Sequence, residues 1–335
     1  MHDKSKYLFG DADDKPRETT MPAYGRVFPH SYGLATGKYF ATFLPRSPAG
    51  DDLTLAFAKA LMDGEQIGQD EVTDYLSISF SSTDYVGHLF SPSSLEAEDN
   101  QLRLDRTLAD LFAYVDKRVG LKCMLIDLSA DHGGPEAPGQ LNALGIPAKY
   151  VKTEEWDKSP AISALKQKFG IGQELIQSFR APYVYLNREV IREKCLDSAV
   201  VEKAVVEELM KFDGVSLAIS STALNEGRVP NTPLIQSVLR NFNPRRSDDI
   251  FLVFEPHCFI NDFDGLIVAC VHGAPWRYDT FVPVVFAGGK LTGQRVCRPI
   301  ETVDVAPTLS AIVGAKPPSG SRSGPLLEVM QGTTK

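Results

Sequence analysis

Five side chains in this sequence have the types and spacing of metal ligands. Asp84 and His88 stand four residues apart in SSTDYVGH, Asp131 and His132 are adjacent in ADHGG, and His272 closes GLIVACVHG. Imidazole nitrogen and carboxylate oxygen both bind zinc well, and carboxylate–histidine mixtures suit catalytic rather than structural sites. Five such ligands are too many for one tetrahedral ion and suit two. A pair of divalent ions a few ångströms apart can stabilise both the attacking and the leaving oxygen of a displacement at phosphorus. Each residue taken singly has a plainer reading, because an Asp after a strand commonly caps the next helix. Three of the six histidines, each following an apolar run and two accompanied by Asp, are poorly explained by coincidence. His2, His30 and His257 have no comparable setting and are read as structural.

The elements that would carry these residues can be read from hydrophobic periodicity. LTLAFAKALMDGE, from Leu53, keeps close to helical spacing. YLSISFS, from Tyr75 to Ser81, alternates and is rich in strand formers, which predicts a strand ending in a polar loop. The next stretch places Leu104, Leu108, Leu111, Phe112, Val115 and Val119 on one apolar stripe of a helix that Gly120 ends. CMLIDLSAD predicts a second buried strand, interrupted by Asp127, whose unpaired burial would cost a few kcal/mol. Strand, helix, strand in this order predicts a parallel unit with ligands at the carboxyl ends of its strands. A helix over AVVEKAVVEELMKF and a strand over GVSLAIS lie at the C-terminal side of a region, about 146–233, read as a cap or insertion. The α/β rhythm returns in IFLVFEP, GLIVACVHG and VPVVFAGG, followed by a short helix from Asp304 to Val313.

Composition bounds the alternatives. With 43% hydrophobic and 23% charged residues the chain can bury an ordinary core. A net charge of −8, a pI near 5.4 and no Lys/Arg-rich run argue against a nucleic-acid-binding patch. Five scattered cysteines without a CxxC pair give no disulfide framework, and most are read as buried small hydrophobes. No apolar run is long enough to span a membrane, and the polar opening MHDKSKYLFGDADDKPRETT has no signal-peptide core. Residues 1–50 are read as an irregular segment continuing from a missing N-terminal part, ahead of one domain over 51–335.

Taken together, the motifs resemble the alkaline phosphatase superfamily, in its type I phosphodiesterase and nucleotide pyrophosphatase-like branch. They are S-x-x-D-x-x-G-H at Ser81, the helix entry F-x-P-x-S-x-E-x-x-D at Phe90, and L-S-A-D-H-G at Leu128. H-G-x-P-x-x-Y-D-x-x-V-P at His272 and D-x-x-P-T-x-x-x-x-x-G at Asp304 complete the set, which runs from about Leu53 to Gly314. The resemblance implies an α/β fold, a central mostly parallel sheet flanked by helices, with its N-terminal strands missing here. It implies two zinc ions, one on Asp84, His88 and His272 and a second partly held by Asp131 and His132. It also implies a phosphate mono- or diester as the small-molecule substrate and a periplasmic or secreted setting. The family's nucleophilic Thr or Ser, and an Asp ending its first strand, have no counterpart in residues 1–50. Asp11, Asp13 and Asp14 follow no buried strand, and Ser81, Ser82 and Thr83 are not assigned as nucleophile. Ser91 stands where relatives commonly have Gly. The expectation is a metal-dependent phosphate ester hydrolase impaired by truncation, the alternative a non-catalytic zinc-binding fragment or pseudoenzyme. The adjacent Asp-His pair with S-x-x-D-x-x-G-H favours this branch over a sulfatase or a phosphoglycerate mutase.

Overall fold

A computed structural model describes residues 4–9, 13–21, 24–263, 265–289 and 291–333, so His2 and Asp11 lie outside the described residues. Two long helices pack on each other at the N-terminal end, α1 (Pro48–Gly64) and α3 (Leu95–Arg118), with the short α2 (Ser82–Phe90) against both. Ser47 caps α1 by accepting from the Ala49 N–H, and Pro48 occupies its first turn, where a missing N–H costs nothing. Ser94 caps α3, accepting from the Ala97 N–H at 3.1 Å. At its far end the Gly120 N–H reaches the Val115 carbonyl, with Gly120 at φ +89 as the expected left-handed stop. Leu55 and Met62 of α1 meet Leu111 and Val115 of α3 in a shared apolar cluster.

The expected strand Tyr75–Ser81 has no regular structure and joins no ladder among the described residues. Its alternation serves packing instead. Leu76, Ile78 and Phe80 lie against the α1–α3 cluster, while Tyr75 faces solvent. The parallel strand–helix–strand unit is therefore not formed as a ladder. The second strand of that unit, β1 (Leu125–Ser129), pairs antiparallel with a strand far along the chain, Val284–Gly288, and Asp127 opposite Phe286 leaves Oδ1 buried without a partner.

A second core belongs to the middle of the chain. The short β2 (Lys149–Tyr150) is followed by α4 (Pro160–Phe169), β3 (Ile176–Arg180), β4 (Tyr183–Leu186), α5 (Ser198–Leu209), β5 (Val215–Ser220), α6 (Pro233–Asn241) and β6 (Ile250–Phe254). Strands β3, β4, β6 and β5 form one antiparallel sheet in that order. Period-2 alternation splits its side chains: Ile250 and Leu252 join Val201, Val205 and Leu209 of α5, whereas Phe251 and Val253 join Ile235 and Val238 of α6. Both faces are covered, which is why β6 reads as an unbroken apolar run. Each fully buried aliphatic side chain contributes about 1.5–3 kcal/mol.

The remaining strands are β7 (Cys258–Phe259), which runs parallel to β2, the β8–β9 hairpin (Asp262–Phe263 with Leu266–Ile267), and β10 (Val284–Gly288), the partner of β1. Helices α7 (Val305–Ile312) and α8 (Leu327–Thr333) close the chain. The strand expected over Gly265–Gly273 survives only as Leu266–Ile267, because Ala269 and Cys270 spend their N–H groups on a helix end rather than on a ladder. Cys258 and Cys270 are buried as expected, but Cys123, Cys195 and Cys297 are exposed, which corrects the reading of most cysteines as core. The superfamily-like segment at Asp304 is structural: Thr308 donates to the Asp304 carbonyl and accepts from the Leu326 N–H, tying the tail to α7.

Candidate metal centre

SSTDYVGHLF is helix from Ser82 onward, not the polar loop expected after the Tyr75–Ser81 strand. This difference places Asp84 and His88 one turn apart on a single helix face. Ser81 makes no capping bond to the first turn of α2. The cap comes from another helix, since Asp51 of α1, 2% exposed, accepts from the Ser82 N–H at 3.1 Å. A Cβ on Gly50 would stand 2.6 Å from the Ser82 hydroxyl, so glycine lets α1 approach this closely. Asp51→Ala is expected to cost about 1–2 kcal/mol, measured by chemical denaturation, and to loosen the turn that carries Asp84.

The far end of α2 is fixed by the segment that leads to His272. The His88 carbonyl accepts from the Ala269 N–H at 2.8 Å, and the Cys270 thiol donates to the Gly87 carbonyl at 3.0 Å. The first of these satisfies a carbonyl that a helix end leaves open, whereas the Gly87 carbonyl also accepts from the Ser91 N–H at 2.8 Å. In the opposite direction His88 Nδ1 donates to the Cys270 carbonyl at 2.7 Å. That bond fixes the tautomer and leaves Nε2 free as an acceptor, an arrangement typical of metal-binding histidines.

Asp84 is the centre of the cluster. Its Oδ1 lies 3.4 Å from His88 Nε2, 3.4 Å from His272 Nε2 and 3.8 Å from His132 Nε2. Ligand atoms of Asp84, His88 and His272 all fall within 4.8 Å of one another, the convergence a single ion requires. Burial alone would raise the Asp84 pKa, but the hydrogen bond from His272 and the nearby His88 and His132 charges outweigh it and hold the carboxyl below its usual value. The same hydrogen bond raises His272, against the opposing effect of burial. His132 stacks on His272 with ring centroids 3.4 Å apart. Asp131 stands at the margin, its side chain 89% exposed and 3.7 Å from His132 Nε2.

Four of the five sequence-derived residues thus meet around one carboxylate oxygen, and Asp131 opens to solvent beside them. The residues set aside have structural partners. His30 is buried between the Tyr24 carbonyl and Glu96, at 3.0 Å from each. Asp13 accepts from the Phe28 N–H and pairs with Lys4, and Asp14 pairs with Arg26. Ser91, fully buried, holds φ +75, a conformation that favours glycine, and its hydroxyl donates to Glu136. Two contributors were missed in the sequence. Cys270 holds His88 through its carbonyl, which leaves no side-chain signal, and Asp279 lies in the H-G-x-P-x-x-Y-D motif but contacts only backbone groups beside the histidines.

The chain matches the type I phosphodiesterase / nucleotide pyrophosphatase family model over residues 17–266, and it belongs to that family. Alkaline phosphatase PafA of Elizabethkingia meningoseptica is 35% identical over 289 residues, 85% of this chain and 51% of that protein. A Myroides odoratus protein named calcium-transporting ATPase is 33% identical over 328 residues, 97% of this chain and 59% of that protein. The crystal structure of wild-type PafA superposes with a TM-score of 0.86 at 32% identity, covering 98% of this chain and 62% of that one. The fold is therefore that of the alkaline phosphatases, α/β with flanking helices, and the chain spans about half to three fifths of the length of these relatives. Among the described residues no helix is long and apolar enough to cross a membrane.

Proposed function

We propose that this chain carries a divalent-metal site of a phosphate ester hydrolase, with Asp84, His88 and His272 holding one ion and Asp131 and His132 contributing to a second. The observation that supports this reading is the convergence of three ligand atoms within 4.8 Å from segments far apart in the chain. The donor set, two imidazoles and a carboxylate, fits zinc. A zinc ion held there would supply a Lewis acid for a phosphoryl oxygen. The protein's own part is to present Nε2 of His88 and His272 toward one carboxylate oxygen and to keep that carboxyl ionised. The substrate class proposed is a small phosphate mono- or diester.

No hydroxyl of the first motif serves as nucleophile in this reading. Ser82 is 2% exposed, Thr83 Oγ1 accepts from Asn100 Nδ2 at 2.9 Å, and Ser81 Oγ is paired with Ser79 Oγ at 2.9 Å. These engagements favour a second reading, metal binding without turnover. Elemental analysis of the purified chain, with p-nitrophenyl phosphate and bis-p-nitrophenyl phosphate hydrolysis followed on the same sample, separates the two. Bound zinc with turnover that disappears on chelation supports the hydrolase, and bound zinc without turnover supports the second reading. A chain that takes up no zinc at neutral pH overturns both. Zinc uptake is expected to weaken as pH falls through the raised His272 pKa, because protons compete for Nε2.

A further inference from the structure

Asp279 touches none of the clustered ligand atoms, yet it holds both loops that deliver histidines to them. Its side chain is 4% exposed. Oδ2 accepts from the Gly273 N–H at 3.0 Å and the Ala274 N–H at 2.8 Å, the two residues that follow His272. Its main-chain carbonyl accepts from the Gly133 N–H at 2.7 Å, the residue that follows His132. The turn that presents Asp279 is closed by its N–H to the Trp276 carbonyl at 3.0 Å. A third anchor comes from Tyr278, whose hydroxyl accepts from the His257 N–H at 3.2 Å and whose ring stacks on His257 at 4.8 Å.

From this geometry we infer that Asp279 is a positioning residue of the metal site, locking His272 and His132 around Asp84. The inference rests on the proposed metal reading. His272 sits in neither helix nor strand, and Gly273 beside it is at φ +109, so regular structure does not order this loop. Ordering a free loop costs conformational entropy, and an unclamped loop would charge that cost to metal binding. A packing role alone accounts poorly for a carboxylate here, since Oδ1 is buried without a hydrogen-bond partner.

The test is a cobalt(II) titration of the full chain, followed by visible absorption, on wild type, Asp84→Ala, Asp279→Ala and Asp279→Asn, with circular dichroism to confirm folding. Asp279→Ala is expected to weaken cobalt binding 10–100-fold, the usual effect of losing an outer-shell partner, and to change the shape of the absorption band. Asp279→Asn keeps an acceptor for both amides and is expected to recover most of the affinity and the wild-type band. Should Asp279→Ala not fold, Asp279→Ser, too short to reach both amides, takes its place with the same expected loss. Wild-type affinity and spectrum in the Ala or Ser variant would overturn the inference, as would Asn binding no better than Ala. A wild type that binds no cobalt, or binds it no better than Asp84→Ala, would instead overturn the metal reading itself.

Discussion

Replacing Asp84 with alanine is expected to lower zinc affinity by about a hundred- to a thousand-fold and to remove any metal-dependent turnover with it. Asp84 Oδ1 is the atom on which the Nε2 atoms of His88, His272 and His132 converge, at 3.4, 3.4 and 3.8 Å. A four-ligand zinc site is worth about 10–16 kcal/mol, so one ligand accounts for roughly 3–4 kcal/mol of it. Asp84 is also the one carboxylate in the three-residue cluster, so its loss removes the charge as well as a ligand. Isothermal titration with zinc measures the affinity directly. Asp84→Asn separates the two contributions, because it keeps an oxygen in place without the charge. A metal-free control is available: with Asp84 gone, the hydrogen bond that raises His272 is lost, and its NMR-observed pKa should fall. Zinc affinity within threefold of wild type in Asp84→Ala would sink the assignment.

The second large effect is expected at a residue without a side chain. A Cβ added to Gly133 would lie 2.1 Å from the Tyr278 carbonyl oxygen and 3.5 Å from the Asp279 Cα. Both neighbours are backbone, so neither can yield by a rotamer change. Gly133→Ala must therefore push the His132 loop off the turn at 278–279 and break the Gly133–Asp279 hydrogen bond. Overpacking of this kind costs about 1–3 kcal/mol, with about 1 kcal/mol more for the lost bond. The adjacent Gly134 meets nothing within 4 Å, so Gly134→Ala is the matched control and should stay within about 0.5 kcal/mol of wild type. Denaturation midpoints and zinc affinity of the pair report fold and site separately. Equal midpoints for the two variants would mean that the turn at 278–279 moves freely.

Both predictions turn on contacts of different origin. Asp84 and His88 could be named from the sequence because ligand chemistry is carried by side-chain type, and because the i, i+4 spacing survives whether the segment is loop or helix. His272 and the Asp131–His132 pair were singled out as candidates for the same reason. The long helix Leu95–Arg118 was equally plain, since a 3.6-residue apolar period is a local property of the chain. So was β6, whose apolar run reports burial on both faces.

What the sequence by itself determined is therefore the chemistry on offer and the elements whose period is local: the candidate ligand side chains, the α1 and α3 helices, β5, β6 and β10. Tertiary structure alone decided how these parts meet. Alternation in Tyr75–Ser81 specifies two faces but no ladder partner, and helices rather than strands took up the apolar face. The apolar run before His272 was free to form a strand until the His88 carbonyl at the end of α2 accepted the N–H groups of Ala269 and Cys270. The cap of α2 came from Asp51 of another helix, and the clamp on both histidine loops from Asp279. Such contacts join backbone groups and carboxylates distant in sequence, and a hydrogen bond of that kind leaves no periodic trace in the chain that makes it.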